Sequence, residues 1–430
     1  MENLILIGIN TRPMINSALK LDYNVISISY FKTLDFKKVY MEKYVLDQEK
    51  VDSCGNFENN YDTKTLIDLF KEIDDEGIDI DKIVFTSEIN FEDFEDVLSK
   101  HKNKIRSNLK TNSVDDKFKF YNKIKKEFNV PLTFKVNDIY EINEIINNYD
   151  NLNFILKPIN GSGGLGIIKL NNDSLNSLNE ENNIFENIDF DNCILQEYIE
   201  GTTLSSSVLS SKTDVKNLIN TRLITEQDLN NENNFTYSGN ICPLDFKSFN
   251  QFQKRKLTHK SYLDRTIINL NKIMGNLSES LIKKFKLIGS NGVDFILKDD
   301  VFYNGSNQIT EDELIQNLNV IEINPRLQGT FELCEQSLGI NLLDAHIKAC
   351  EGELVDIPDI KKYTIKKIVY SKKQITIGDL NLKNVYDIPY KGVKIEKNQP
   401  VVTLISSNTN LDAAIEDIRI ANNNVNKNIT

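Results

Sequence analysis

The sequence predicts a chain of mixed α/β and α+β class, and three observations carry that expectation. Near the N-terminus an apolar run, a glycine turn, an apolar-periodic stretch and a second apolar run follow one another, the order of a right-handed parallel β-α-β unit. Between Phe154 and Leu170 a short apolar strand enters a glycine cluster and leaves as another short strand, the order of a hairpin. Leu287–Leu297 and Val320–Asn324 then read as apolar strands that each carry an isolated carboxylate, and short strands divided by turn residues predominate after about residue 353. Four units are expected: an N-terminal α/β unit (1–105), a small unit with the glycine-rich loop (106–190), a larger unit with the carboxylates (191–352) and a β-rich C-terminal piece (353–430).

In the first unit, Leu4–Ile7 is the first strand, Gly8–Pro13 the turn, the segment through Leu21 a helix and Val25–Tyr30 the second strand. Thr65–Glu76 and Lys82–Thr86 extend the pattern as helix and strand. Gly8 stands alone where a dinucleotide-binding turn needs three glycines, so a nicotinamide site is not supported.

Composition narrows the function. Hydrophobic residues make up 40% and charged residues 27% of the 430, which is globular usage. A net charge of −12 and a pI near 5.0 argue against general binding to nucleic acid or to an anionic membrane surface. Cys54, Cys193, Cys242, Cys334 and Cys350 show no paired spacing, which argues against a zinc site and fits reduced thiols in the cytoplasm. Leu4–Ile9 is too short to span a bilayer.

A helix opens at Asp115-Asp116-Lys117 with acids in its first turn and stops before Val130-Pro131. Phe154–Pro158 is a strand whose last residue before the proline is Lys157. It enters Gly161-Ser162-Gly163-Gly164-Leu165-Gly166, four of the chain's 18 glycines, and leaves through Ile167–Leu170. Because strand leads to strand, this is no P-loop; it is a hairpin able to fold over phosphates as a flap, and an ordinary glycine turn is the alternative. Asn192–Glu200 is a strand entering a loop, a setting that admits a purine, and Leu204–Ser210 is a serine-rich strand. Val215–Glu226 reads as a strand, Ser238–Pro243 as a loop and Tyr262–Lys286 as a long amphipathic helix.

Asp294 lies in Leu287–Leu297, where an acid is expensive to bury without a partner. Lys298–Asn319 reads as an insertion, which makes the strands of Asp294 and Glu322 neighbours. In Val-Ile-Glu-Ile-Asn-Pro-Arg, Glu322 and Asn324 are two residues apart and project from one face, and Pro325 ends the strand with Arg326 just beyond. Asp294, Glu322 and Asn324 thus form a three-oxygen candidate site for Mg2+, with a hairpin that has a polar end as the alternative. Leu338–Cys350 reads as one helix. Tyr363–Tyr370, Gln374–Ile377, Val393–Glu396 and Val401–Ser406 read as strands, Leu411–Ala421 as a helix and Asn422–Thr430 as a frayed tail.

The ordered set Asp116-Lys117, Phe154–Gly166, Gln196–Gly201, Asp294 and Glu322–Arg326 resembles the ATP-grasp superfamily, and within it the archaeal group of predicted ATP-dependent carboligases related to biotin carboxylase. The resemblance spans residues 106–352 and implies an ATP-grasp fold with a preceding parallel α/β domain and a small β-rich C-terminal appendage. It implies that Lys117 and Lys157 contact ATP phosphates and that Gly161, Ser162, Gly163, Gly164 and Gly166 form the flap. Gln196, Glu197, Tyr198 and Ile199 would line the adenine slot through backbone groups. Asp294, Glu322 and Asn324 would ligate Mg2+, for which Mn2+ is an admissible substitute, and Arg326 would act on the transferred phosphoryl or acyl group. Relatives that bind ribose with a carboxylate have it where this chain has Thr203, so the ribose contact is left open.

The activity so implied is a carboxylate–amine ligase working through an acylphosphate on small-molecule substrates. A carboxylase using bicarbonate and an ATP-binding sensor are the alternatives. No membrane or nucleic-acid partner is expected, and a homodimer is allowed. Arg12, Arg222 and the Ser238–Pro243 segment are candidate substrate contacts.

Overall fold

Leu4, Ile5, Leu6 and Ile7 are all fully buried, which a strand achieves only when both faces of its sheet are covered. The structure is a computed structural model; it describes residues 1–430 apart from 88, 90, 162, 171–187, 231–234, 252, 254–256, 258–259 and 303–308. The buried run lies in β1 (Glu2–Gly8), an inner strand of a parallel sheet with β2 (Tyr23–Lys32), β3 (Met41–Asp47) and β4 (Lys82–Phe85). The order is β3-β2-β1-β4. Alternation divides β1 between two cores: Leu4 and Leu6 pack with Met14 and Ile15, and Ile5 and Ile7 with Leu66 and Phe70.

A second, antiparallel sheet contains β5 (Thr133–Lys135), β6 (Phe154–Pro158), β7 (Ile168–Leu170) and β8 (Cys193–Glu197), ordered β5-β8-β6-β7. The glycine cluster joins β6 to β7 as the expected hairpin; Ser162 lies outside the described residues.

The floor of the molecule is an eight-stranded antiparallel sheet. It contains β9 (Gly201–Ser210), β10 (Val215–Thr225), β11 (Tyr237–Cys242), β12 (Gly289–Lys298), β13 (Leu318–Asn324) and β14 (Tyr363–Tyr370). A separate pair, β15 (Ile375–Thr376) and β17 (Lys394–Ile395), brackets β16 (Val385–Tyr386), which returns to the large sheet beside β18 (Pro400–Asn408). The order is β13-β12-β9-β10-β11-β14-β18-β16. Leu204, Val208, Val293 and Phe295 face the helix Lys260–Phe285 through Ile267, Leu270 and Met274. The alternate residues Ser205, Asp294 and Glu322 therefore face the other way, into a cleft.

Several segments differ from expectation. Ser238–Pro243 is strand as far as Cys242, not loop, because its backbone pairs with β10 on one side and β14 on the other, despite the turn-like Ser-Gly-Asn composition. Gly239 is tolerated there for a reason: a Cβ on it would stand 1.9 Å from the Lys366 carbonyl. Leu338–Cys350 is not one helix. Gly339, at φ +73, ends Phe331–Leu338, and Asn341 caps a new helix, Leu342–Glu351. The insertion before β13 contains the helix Glu311–Asn317, started by a Thr310/Glu313 capping box. The C-terminal tail is ordered as well: the last helix runs from Leu411 to Lys427, and Thr430 exchanges backbone hydrogen bonds with Thr376. Among the described residues, no helix is long and apolar enough to cross a membrane.

Candidate active site

β12 and β13 run antiparallel with Asp294 directly opposite Glu322, so the two carboxylates share one face of the sheet. Burial, and next the charge of Glu322, push the Asp294 carboxyl well above the usual carboxylate range. Its oxygens are held apart by donors: Ser205 Oγ donates to Oδ1 at 2.5 Å and Asn324 Nδ2 to Oδ2 at 2.9 Å. Asn324 Oδ1 accepts from Arg326 Nη2 at 3.2 Å, which folds the guanidinium back from the loop towards the carboxylates.

Two lysines close the group from the small-sheet side. Asp116 caps the helix Lys117–Ile124 by accepting from the Lys119 N–H, which sets Lys117 in the first turn. Lys117 Nζ donates to the Gly161 carbonyl and lies 3.7 Å from Glu322 Oε2. Lys157, at the end of β6, is 4% exposed; burial first and then the charge of Lys117 push its ammonium down to about 7. The structure thus brings Lys117, Lys157, Asp294, Glu322, Asn324 and Arg326 into one cleft.

The glycine hairpin is packed by shape. A Cβ at Gly161 or Gly166 would press on the Pro158 ring at 3.2 and 3.1 Å, and one at Gly164 would stand 2.0 Å from Phe235 O. Gly163 faces open space, and its carbonyl accepts from the Tyr237 N–H at 2.9 Å. In the expected adenine stretch, the Gln196 side chain is committed to Thr133 Oγ1. The amides of Glu197 and Tyr198 donate to Leu132 and Asn153 carbonyls at 2.8 and 2.7 Å. The Thr203 hydroxyl donates to Leu223 O and accepts from Arg222 Nη1.

Two expected substrate contacts are internal instead. Arg12 is buried, grips Glu332 with both terminal nitrogens at 3.0 Å and donates through Nε to Asp387. Arg222 donates to the Thr203 and Leu223 carbonyls and pairs with Asp228 at 2.6 Å. Both cations are consumed in holding the fold, since a buried guanidinium must be paired.

Sequence reading missed three residues that border the cleft. Lys366 Nζ donates to Gly329 O at 3.1 Å and lies 3.7 Å from Glu332. A signal for it existed: Lys366 and Lys367 are consecutive in a strand, so one of them must point inward. The Gln328 amide lies across β12 and accepts from Ser207 Oγ at 3.2 Å. Tyr237 reaches the same loop, with no local signal in its sequence.

A family model described as ATP-grasp domain matches residues 114–260 and 264–330. An uncharacterized protein of Methanocaldococcus jannaschii is 30% identical over 409 residues, covering 94% of this chain and 87% of that protein. The chain belongs to the ATP-grasp family. ATP-grasp solved structures share its shape over nearly the full length. The biotin carboxylase domain of Hydrogenobacter thermophilus 2-oxoglutarate carboxylase, a structure with MgADP, ADP and bicarbonate, has a TM-score of 0.66 at 15% identity, covering 98% of this chain and 89% of that one. The N5-carboxyaminoimidazole ribonucleotide synthetase of Thermotoga maritima has a TM-score of 0.61 at 15% identity, with 98% of each chain covered.

Proposed function

We propose that this chain is an ATP-dependent ligase that activates a substrate carboxylate as an acylphosphate for attack by an amine or similar nucleophile. The observation that carries this reading is the registered pair Asp294–Glu322, flanked by Asn324, Arg326, Lys117 and Lys157 beneath a glycine hairpin. The donor set fits Mg2+: two carboxylates and an amide oxygen are hard ligands, and a divalent cation offsets the burial, and next the repulsion from Glu322, that raise Asp294. When bound, the ion neutralises phosphate charge and orients the transferred group.

The chain's own residues do the rest. Lys117 and Lys157 hold phosphate oxygens, and the Glu197–Ile199 stretch reads the purine through its carbonyls and the Ile199 backbone. A substrate carboxylate oxygen bonds to the γ-phosphorus as the bond to the β-bridging oxygen breaks, and ADP leaves. Arg326 stabilises the negative charge that moves across the transferred phosphoryl. The nucleophile's nitrogen then bonds to the acyl carbon, phosphate departs with the bonding pair, and the nitrogen loses a proton. The hairpin excludes water from the acylphosphate during the interval.

The test is ADP release with ATP, Mg2+ and pooled carboxylates and amines, with bicarbonate as a separate arm, for wild type and Glu322→Ala. Stimulated release should fall by about 10²–10³ in the variant. Equal stimulation in both proteins sinks the assigned metal site. Stimulation by bicarbonate alone gives the carboxylase alternative, and tight ATP binding with no stimulation gives the sensor.

A further inference from the structure

Tyr237 makes contacts at opposite ends. Its backbone N–H donates to Gly163 O of the hairpin at 2.9 Å, and two residues earlier the Phe235 carbonyl abuts Gly164 so closely that only glycine fits there. The phenol meets both its own strand and the loop after β13: Oη donates to Asn240 Oδ1, three residues along β11, at 2.5 Å, and a Cβ added to Gly329 would stand 2.8 Å from Oη. Gly329 is three residues beyond Arg326, and its carbonyl is held from the far side by Lys366 at 3.1 Å. The residue itself is braced in between, because Tyr370 Oη donates to the Tyr237 carbonyl at 2.8 Å.

We infer that Tyr237 is a positioning residue that couples closure of the glycine hairpin to the setting of the loop that carries Arg326. One residue grips the hairpin with its backbone and abuts the loop with its ring, and the brace on its carbonyl limits how far the two ends move apart. Coupling of this kind is carried by packed contacts and is reciprocal: whatever favours the closed hairpin favours the set loop, and the converse holds. The inference rests on the proposed reading of the cleft as an ATP site.

Hydrogen exchange read by mass spectrometry on the full chain tests it, with Mg2+ and a non-hydrolysable ATP analogue as the probe. In wild type the analogue slows exchange in both 161–166 and 327–330. Tyr237→Leu keeps the backbone contact and removes the ring from Gly329, so the hairpin still slows while slowing of the loop drops by at least about fivefold, the low end for coupled sites. Gly329→Ala attacks the same contact from the loop side and gives the same split, and unchanged exchange in β12 without probe shows that both variants are folded. Coupling is overturned if the loop slows as much in Tyr237→Leu as in wild type, or if only the hairpin responds in wild type. If the hairpin itself does not respond in wild type, the ATP-site reading fails, and the coupling falls with it.

Discussion

Lys157 is a cation in a place that disfavours cations. Burial lowers its pKa to about 7, so its charge serves something other than stability. Lys157→Met, close in length and apolar, should reduce stimulated ADP release by about 10²–10³ while leaving the urea midpoint unchanged or higher. A fall in both would make Lys157 a structural residue. His346 is the converse case, a buried group that holds the fold together. Its Nδ1 accepts from the Ser290 N–H at 2.8 Å, and its Nε2 lies 2.7 Å from the Arg106 carbonyl. Burial pushes its pKa from 6.5 down to about 4, so the folded chain keeps it neutral while the unfolded chain takes up a proton. Its contribution is complete above pH 6.5 and is lost as pH falls from 6.5 towards 4. Unfolding in urea should therefore show a loss of about 2 kcal/mol between pH 7 and pH 5, and His346→Gln should flatten that decline.

The loop after β13 depends on a missing side chain in β12. A Cβ at Gly292 would stand 1.3 Å from Gln328 Nε2, so Gly292→Ala must expel the Gln328 amide and disturb the residues following Arg326. Circular dichroism should be unchanged, because alanine suits a strand as well as glycine does; stimulated ADP release should fall by about tenfold or more. The β13 mouth itself was legible. Alternation placed Glu322 and Asn324 on one face, the proline marked the end, and the isolated acid in β12 pointed to a neighbour. β11 was not legible, because Ser238, Gly239 and Asn240 are turn residues whose strand conformation comes from pairing on both sides. The end of the last helix was missed for a related reason: Asn-rich sequence has poor helix propensity, but Val425 is fully buried and Ile429 bridges to Ile377. Asp294 could be proposed from sequence because an acid is costly in an apolar strand, whereas Lys117 and Lys157 were singled out by the family resemblance. Their convergence, and the part played by Tyr237 and Lys366, depends on sheet order.

At the scale of the molecule, Arg12 ties three distant parts of the chain together. Its guanidinium holds Glu332 and Asp387 and lies 5.2 Å from the centre of the Tyr386 ring, while Asp35 accepts from the backbone N–H groups of Asp387 and Ile388. Removing the cation strands the buried Glu332 and the partly buried Asp387, so Arg12→Met should cost about 3–5 kcal/mol in urea unfolding. Loss of the joint between the parallel sheet and the rest should also show as faster proteolysis between residues 106 and 111. A change under about 1 kcal/mol, the usual worth of an exposed ion pair, would mean that the joint is held elsewhere. The same lock has a history each time the chain is made. Glu332 lies 320 residues after Arg12 and Asp387 375 residues after it; at ribosomal rates, Asp387 follows on the order of tens of seconds after Arg12. For that interval the sheet face of Ile5, Ile7, Leu66 and Phe70 can complete its core, while the opposite face, which packs with Leu209, Leu333 and Leu343, waits with the arginine for late-synthesised elements to cover it.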